Sequence, residues 1–457
     1  MNLGFETIGN ATIIVHDGKP VLATDPWIEG EAYFGSWTFS HEIPEEQKES
    51  MRRAEYVWFS HGHPDHLNPT SLPLFLGQKV LLADHFGGRI FRHLQQSGFD
   101  VHLLNDRAWV SLSPKVRVYC ISDYNQDAIL LIDVDGRLLI DLNDASDCGW
   151  MPTVRQIAST YKTSFLMALT GYGDADMINF YDEDGRFIPP VAARRFPVGR
   201  MITQKMDAIG ATYFVPSSSM HHYLREDSQW ANAYVTKLDD YARGFKSRTG
   251  KLRPAFIRFD FETSTWSQID PSPTSRRVLT AAECGDVWSD TLDPGEFARL
   301  EKYFKSFEHL GDFLDHVTLR VGGIDNTVSL NKKRFKRGIT FEVPRHSLMT
   351  AVDHQIFDDL LIGNFMKTTL HGSWPKSRLY PDFTPYVTKY GDNGLARTRE
   401  ELKAYFAEYR KRLGVIHYLR HRLEQKSKEV FRARVPAESA LFQKGKAAYW
   451  GLRRSLR

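Results

Sequence analysis

Cysteine is scarce in this chain: three in 457 residues, Cys120, Cys148 and Cys284, none close to another in sequence. That spacing excludes a disulfide framework, a CxxC redox pair and a four-thiolate zinc site, and it points to a reducing compartment. Long apolar runs are also missing, and none approaches the roughly 18 residues that span a bilayer. The N-terminal MNLGFETIGNATIIV lacks a basic stretch followed by an apolar block and a cleavage site, so a cytoplasmic protein is expected. There is no glycine-rich phosphate loop, no internal repeat and no low-complexity tract. What remains is an ordinary globular composition, 42% apolar and 25% charged, long enough for two or three domains.

Negative charge is nearly absent from one end. Between Arg410 and Arg457, 14 Lys or Arg face three acids (Glu424, Glu429, Glu438), a net of +11, so the overall +3 leaves −8 on the rest of the chain. An acidic body repels a polyanion, which argues against nucleic acid as a partner. The basic tail carries an apolar stripe, Leu413, Ile416, Leu419 and Leu423, with Tyr449 and Trp450 near its end. Such a pattern suits an anionic membrane surface, placing the protein at the inner face of the membrane when the tail engages. Packing of the stripe on the protein's own acidic body is the alternative.

The first third reads as short strands with turn chemistry between them: Ala11 to Val15, Pro20 to Thr24, Tyr56 to Ser60, Lys79 to Ala83, Val116 to Ile121, and the hairpin Ala128 to Asp133 with Arg137 to Asp141 across Asp135-Gly136. A helix is expected over Gly88 to Ser97. The proline- and serine-rich segment from Asp270 marks a boundary. Beyond it the pattern gives a helix over Pro294 to Phe313, strands at Val317 to Val321, Thr327 to Leu330 and Gly338 to Val343, and helices at His346 to Val352 and Asp353 to Leu361. The division expected is 1–270 as a metal-binding domain, 285–397 as a small α+β domain, and 398–457 as a basic helix-rich tail.

Ser60-His61-Gly62-His63-Pro64-Asp65-His66 follows an apolar strand directly. A strand running into a tight loop projects alternate side chains to one point, so His61 and His63 are placed to bind one metal ion while Asp65 and His66 bind a neighbour. Asp65 is also placed to orient an attacking hydroxide. Trp27, Tyr33, Trp37 and Phe39 either wall a substrate pocket or pack in the core.

His61-x-His63-x-Asp65-His66, with Thr24-Asp25-Pro26-Trp27 upstream, resembles the signature of the metallo-β-lactamase superfamily. That resemblance implies an α/β fold, an αββα sandwich with its metal site at one edge of two sheets, here followed by the smaller α+β domain and the basic helical tail. Within the superfamily the chain is similar to the hydrolase-fold part of the CMP-N-acetylneuraminic acid hydroxylases, in Asp25-Pro-Trp-Ile-Glu-Gly, Ser60 to Asn68, Gln96-Ser-Gly-Phe, Thr265-Trp-Ser and Asp359-Leu-Leu-Ile-Gly-Asn. The resemblance implies further metal ligands. Asp123 stands where a third histidine for the first metal is usual. Asp141 or Asp144 supplies a bridging carboxylate, with Asp144 preferred because Asp141 closes its strand. His221 or His222 supplies the last imidazole, with His221 favoured.

This set implies two divalent ions, Zn, Fe or Mn, because carboxylates shift the preference away from zinc. The leading expectation is a hydrolase that uses metal-bound hydroxide on an ester, amide or phosphodiester bond of a small-molecule substrate. A non-haem iron oxygenase acting on a sugar or amino-sugar derivative is the alternative. None of the three cysteines begins a CxH or CxxH pair of the kind that holds a Rieske cluster, so that chemistry calls for an external electron donor. A non-catalytic metal-binding protein is a third reading.

Overall fold

The computed structural model describes residues 1–434, apart from 176, 249, 333, 376 and 377, and beyond them only 444–445 and 448–449. Two sheets dominate the first 270 residues. One runs in the order Thr265–Gln268, Ile257–Asp260, Leu3–Ile8, Thr12–Asp17, Pro20–Thr24, Tyr56–Phe59, Lys79–Ala83 and Asp100–Leu104; the other in the order Lys251–Leu252, Tyr213–Pro216, Ser164–Ala168, Arg137–Asp141, Ala128–Val134, Val116–Ser122 and Trp109–Ser111. Alternation along the strands decides how these sheets pack. Ile13 and Val15 join Leu130 and Ile132 in the core between the sheets. Ile14, Ile129 and Leu131 face outward, against a core that includes Met51 and Leu94 of helices Glu45–Arg52 and Arg89–Gln96, and Val154 and Met206 of helices Met151–Ala158 and Val198–Ile209. Both faces of each sheet are therefore apolar, which is why Ala128–Val134 is buried at every position. The result is the mixed α/β sandwich, helices outside two sheets, that the histidine motif implied.

Pro20–Thr24, Tyr56–Phe59 and Lys79–Ala83 are parallel, as are Arg137–Asp141, Ser164–Ala168 and Tyr213–Pro216. Parallel strands bring their carboxyl ends to one edge, where α/β proteins bind ligands. Asp25, Ser60, Asp144 and Ser218 all lie in segments that follow such an end.

The later part of the chain builds a second core, with Leu300, Phe304, Val317, Phe341, Leu360 and Phe383 at its centre. Its six-stranded sheet runs Phe187–Ile188, Asn179–Tyr181, Lys367–His371, Gly338–Glu342, His316–Val321 and Ile324–Ser329. Two of these strands come from within the first 270 residues. They are only two and three residues long, too short to carry a periodic signal. The helix expected to reach Phe313 ends at Ser306. The segment expected as a helix from Asp353 is divided, because helix Arg345–His354 runs through it to a left-handed Gln355 (φ 57°) and a new helix, Phe357–Gly363, begins beyond.

Candidate metal centre

The loop after Tyr56–Phe59 is fixed from beneath by Asp25. Its Oδ1 accepts from the Ser60 amide at 2.7 Å and its Oδ2 from the Ser60 hydroxyl at 2.7 Å. The same Oδ2 lies 2.9 Å from Nδ1 of His66. Donation from that nitrogen to the carboxylate turns the His66 Nε2 lone pair toward the Ser218 hydroxyl at 3.3 Å, Asp65 Oδ2 at 3.4 Å and Asp144 Oδ1 at 3.6 Å. A carboxylate holding the remote nitrogen of an imidazole is the usual support for a metal-binding histidine.

His61 and His63 converge in the same way, with His61 Nε2 2.8 Å from His63 Nδ1. Two sets of side chains bring one ligand-type atom each within 4.8 Å of one another: His61, His63 and Asp144 in one, and Asp65, His66 and Asp144 in the other. Asp144 is common to both. Its Oδ1 accepts a hydrogen bond from the Ser218 hydroxyl. Asp65 is held by two neutral donors, Asn10 Nδ2 at 2.9 Å and the Tyr33 hydroxyl at 2.5 Å.

The electrostatics of this cluster favour a cation. Burial opposes charge on His66, yet Asp65, Asp25 and Asp144 outweigh it and hold its pKa well above the ordinary value. Burial and the neighbouring His66 and His63 push His61 well below the ordinary value, leaving a neutral imidazole with a lone pair to give. Carboxylates around imidazole nitrogens, most of them buried, draw positive charge into this position, as a proton on His66 or as a metal ion. The donor set of imidazole nitrogens and carboxylate oxygens thus fits a divalent ion.

Among the described residues, Asp123 and His221 join neither set. Asp123 closes a local turn: its Oδ1 accepts from the Asn125 amide at 2.7 Å, and burial together with Asp127 pushes its carboxyl well above the usual range. His221 lies in the short strand His221–Tyr223 that pairs with Trp37–Phe39. Its ring stacks on Trp37 at 3.5 Å between centroids and 3° between planes, burial lowers its pKa to about 3, and its Nδ1 lies 3.6 Å from Asp174 Oδ1. It lines a cavity of about 680 Å³ shared with His41, Ser219, Lys237 and Arg276. His222 is exposed. Asp141, the less preferred alternative for the bridge, is fully buried at its strand end and accepts from the Asn143 amide at 3.0 Å.

Sequence reasoning missed Asn10 and Tyr33 as partners of Asp65; Tyr33 packs in the core, one of the two placements expected for it, with its hydroxyl on the carboxylate. It also gave no role to Asp358, whose Oδ2 lies 3.0 Å from Nε2 of His63. Asp358, Asp359 and His63 make a third set within the same 4.8 Å limit. For Asp359 the signal was Asp359-Leu-Leu-Ile-Gly-Asn, a likeness without a function; Asp358, just before it, had none.

No protein-family model matches the chain. Over 294 residues it is 28% identical to the cytidine monophosphate-N-acetylneuraminic acid hydroxylase of Asterias rubens, a match covering 61% of this chain and 42% of that protein. It is 23% identical over 138 residues to the inactive cytidine monophosphate-N-acetylneuraminic acid hydroxylase of Homo sapiens, covering 28% of each. The chain thus spans less than half the length of these curated relatives. Among solved structures it is similar to an isothiocyanate hydrolase from Delia radicum gut bacteria (13% identity, 57% of this chain and 99% of that one, TM-score 0.39) and to CmlA, a diiron β-hydroxylase from Streptomyces venezuelae (16%, 58% and 54%, TM-score 0.35). The metallo-β-lactamase fold protein YhfI from Bacillus subtilis is a further neighbour (11%, 55% and 91%, TM-score 0.29).

Proposed function

We propose that this chain is a metal-dependent hydrolase whose centre takes two divalent ions and cleaves an ester, amide or phosphodiester bond of a small molecule. The observation that carries this reading is the sharing of Asp144 by the His61–His63 and Asp65–His66 sets, the arrangement of a bridging carboxylate. When bound, the ions lower the pKa of coordinated water and polarise the group under attack.

The protein's own part is positioning. Asp25 keeps the His66 proton on Nδ1, so that Nε2 faces the centre. Asn10 and Tyr33 each donate to one oxygen of Asp65 and fix the carboxylate in place, leaving a lone pair on each oxygen to accept a proton or orient a nucleophile. Burial and the charge on Asp65 keep the Tyr33 hydroxyl protonated, its pKa pushed well above the ordinary value, which preserves it as a donor. Ser218 restrains Asp144 between the two sets.

A second reading is an iron-dependent oxygenase acting on a sugar or amino-sugar derivative with an external electron donor. Two observations favour it: the 28% identity to a hydroxylase over 294 residues, and the carboxylate-rich donor set. Metal analysis of protein purified without added metal, together with an oxygen electrode and a panel of ester, amide and phosphodiester substrates, separates the two. Two zinc or manganese equivalents with hydrolysis and no oxygen uptake support the hydrolase. Two iron equivalents with oxygen uptake in the presence of a reductant overturn it in favour of the oxygenase, and protein that cannot be loaded with any divalent ion overturns both.

A further inference from the structure

The helix Phe357–Gly363 belongs to the second core, yet it is fastened to the sandwich at both ends. Arg89 Nη1 donates to the Gln355 carbonyl at 2.8 Å just before it. At its far end the Gly363 carbonyl accepts from Ser228 Oγ at 2.8 Å, and Asn364, left-handed at φ 65°, donates to the Tyr223 hydroxyl at 2.8 Å. Neighbouring side chains complete the clamp: Arg225, fully buried, pairs with Asp286 at 2.7 Å and lies 3.9 Å over the Phe365 ring. A helix held this way presents Asp358 and Asp359 to the histidine loop in a fixed position.

The two acids stand differently. Asp358 takes the nitrogen of His63 that faces away from His61: Nδ1 is 2.8 Å from His61 Nε2, while Nε2 is 3.0 Å from Asp358 Oδ2. This repeats, from another part of the chain, what Asp25 does for His66. Asp359 is only 7% exposed, its carboxylate has no hydrogen bond or ion pair among the described residues, and it still brings an oxygen within 4.8 Å of both His63 and Asp358. An unpaired carboxylate buried beside other carboxylates is costly unless a cation or proton meets it.

Resting on the metal-centre reading above, we infer that the helix Phe357–Gly363 is part of that centre: Asp358 is the positioning residue that orients His63, and Asp359 supplies a carboxylate ligand to an ion held at His63. The role expected of Asp123, a third ligand for the first metal, then falls to Asp359, which arrives 236 positions later in sequence. The two cores form one site, and the sandwich by itself lacks part of its first metal-binding set.

The test is metal binding by the full chain, read by elemental analysis and by competition with a chromophoric chelator, in Asp358→Asn, Asp359→Asn and Asp123→Asn, each checked by circular dichroism and thermal unfolding. Loss of a supporting carboxylate weakens metal affinity by roughly 10- to 100-fold. Asp358→Asn is expected to weaken one of the two ions by that factor, and Asp358→Glu to restore part of it. Asp359→Asn is expected to lose one ion altogether, and Asp123→Asn to keep both. Wild-type occupancy and affinity in Asp358→Asn and Asp359→Asn, with two ions in the wild type, overturns this inference and leaves the metal-centre reading standing. A wild type that binds no divalent ion overturns both. Should Asp359→Asn unfold, the cobalt-substituted Asp359→Glu variant replaces it: a d–d spectrum identical to wild type counts against ligation, and a shifted one supports it.

Discussion

Asp25 Oδ2 is shared between the Ser60 hydroxyl at 2.7 Å and His66 Nδ1 at 2.9 Å, so one buried carboxylate sets both the loop's backbone and the tautomer of its last histidine. Asp25→Asn keeps the shape but swaps one acceptor oxygen for an amide. Metal affinity is expected to fall about 10- to 100-fold while the fold persists. Chelator competition measures the first quantity and circular dichroism the second; unchanged affinity would show that His66 needs no such support.

Asp144 and His61 should differ in a countable way. Asp144 is common to two ligand sets and His61 belongs to one. Asp144→Ala is expected to lower the occupancy of both ions, and His61→Ala that of one. Elemental analysis of the two purified variants, side by side, gives the answer, and equal losses would remove Asp144 as a bridge.

The core between the two sheets sets global stability. Leu130 is fully buried there, among residues contributed by both sheets. Leu130→Ala is expected to cost about 2–5 kcal/mol, the range for a buried leucine cut back to alanine. Urea denaturation monitored by tryptophan fluorescence tests it.

Lys205 gives a pH signature. Burial pushes its ammonium down to about 8, and its Nζ donates to the Leu169 carbonyl at 3.0 Å. In the unfolded chain a lysine titrates near 10.4. Between those two values the unfolded state binds more protons than the folded one, so this group's contribution to stability rises as pH climbs through that window. Lys205→Met is therefore expected to be more stable than wild type below pH 8, with the advantage shrinking toward pH 10. Urea midpoints at about pH 7, 8.5 and 10 check it; a constant difference would contradict the assignment.

The helix Val415–Arg434 bears on the tail. His421 docks it, lying 2.9 Å from the Tyr124 hydroxyl, while Ile416 (81%), Leu419 (55%) and Leu423 (68%) are exposed. These three side chains do not pack on the protein's acidic body, although Leu413 lies closer to it, beside Gly149. Tyr449 donates its hydroxyl to Glu424 of this helix, while Trp450 and the residues after it fall outside the described residues. No helix among the described residues is long and apolar enough to cross a membrane. Binding to vesicles containing anionic lipid is expected, weakened by salt and by Ile416→Ser, Leu419→Ser and Leu423→Ser together. Sedimentation with anionic and neutral vesicles decides it, and equal pelleting of the triple variant and wild type would end the idea.

By itself the sequence determined what depends on neighbours along the chain. Pro20–Thr24, Lys79–Ala83 and Arg137–Asp141 coincide with the strands expected, because alternation and the turns beside them are local properties. The histidine loop was legible for the same reason: His61, His63, Asp65 and His66 lie within six residues, and a strand end leaves them few directions to point. Asp144 was named from the resemblance, but only the tertiary structure decided that Asp358 and Asp359, and not Asp123, come beside His63. Asp123 and Asp358 are both acids near apolar segments, and nothing local distinguishes them, yet one closes a turn on Asn125 and the other reaches His63 across 295 positions. That outcome depends on how the second core docks, through contacts such as Arg225 with Asp286 and Ser228 with Gly363. Such contacts join residues far apart in sequence, where periodicity carries no information and packing alone brings the side chains together.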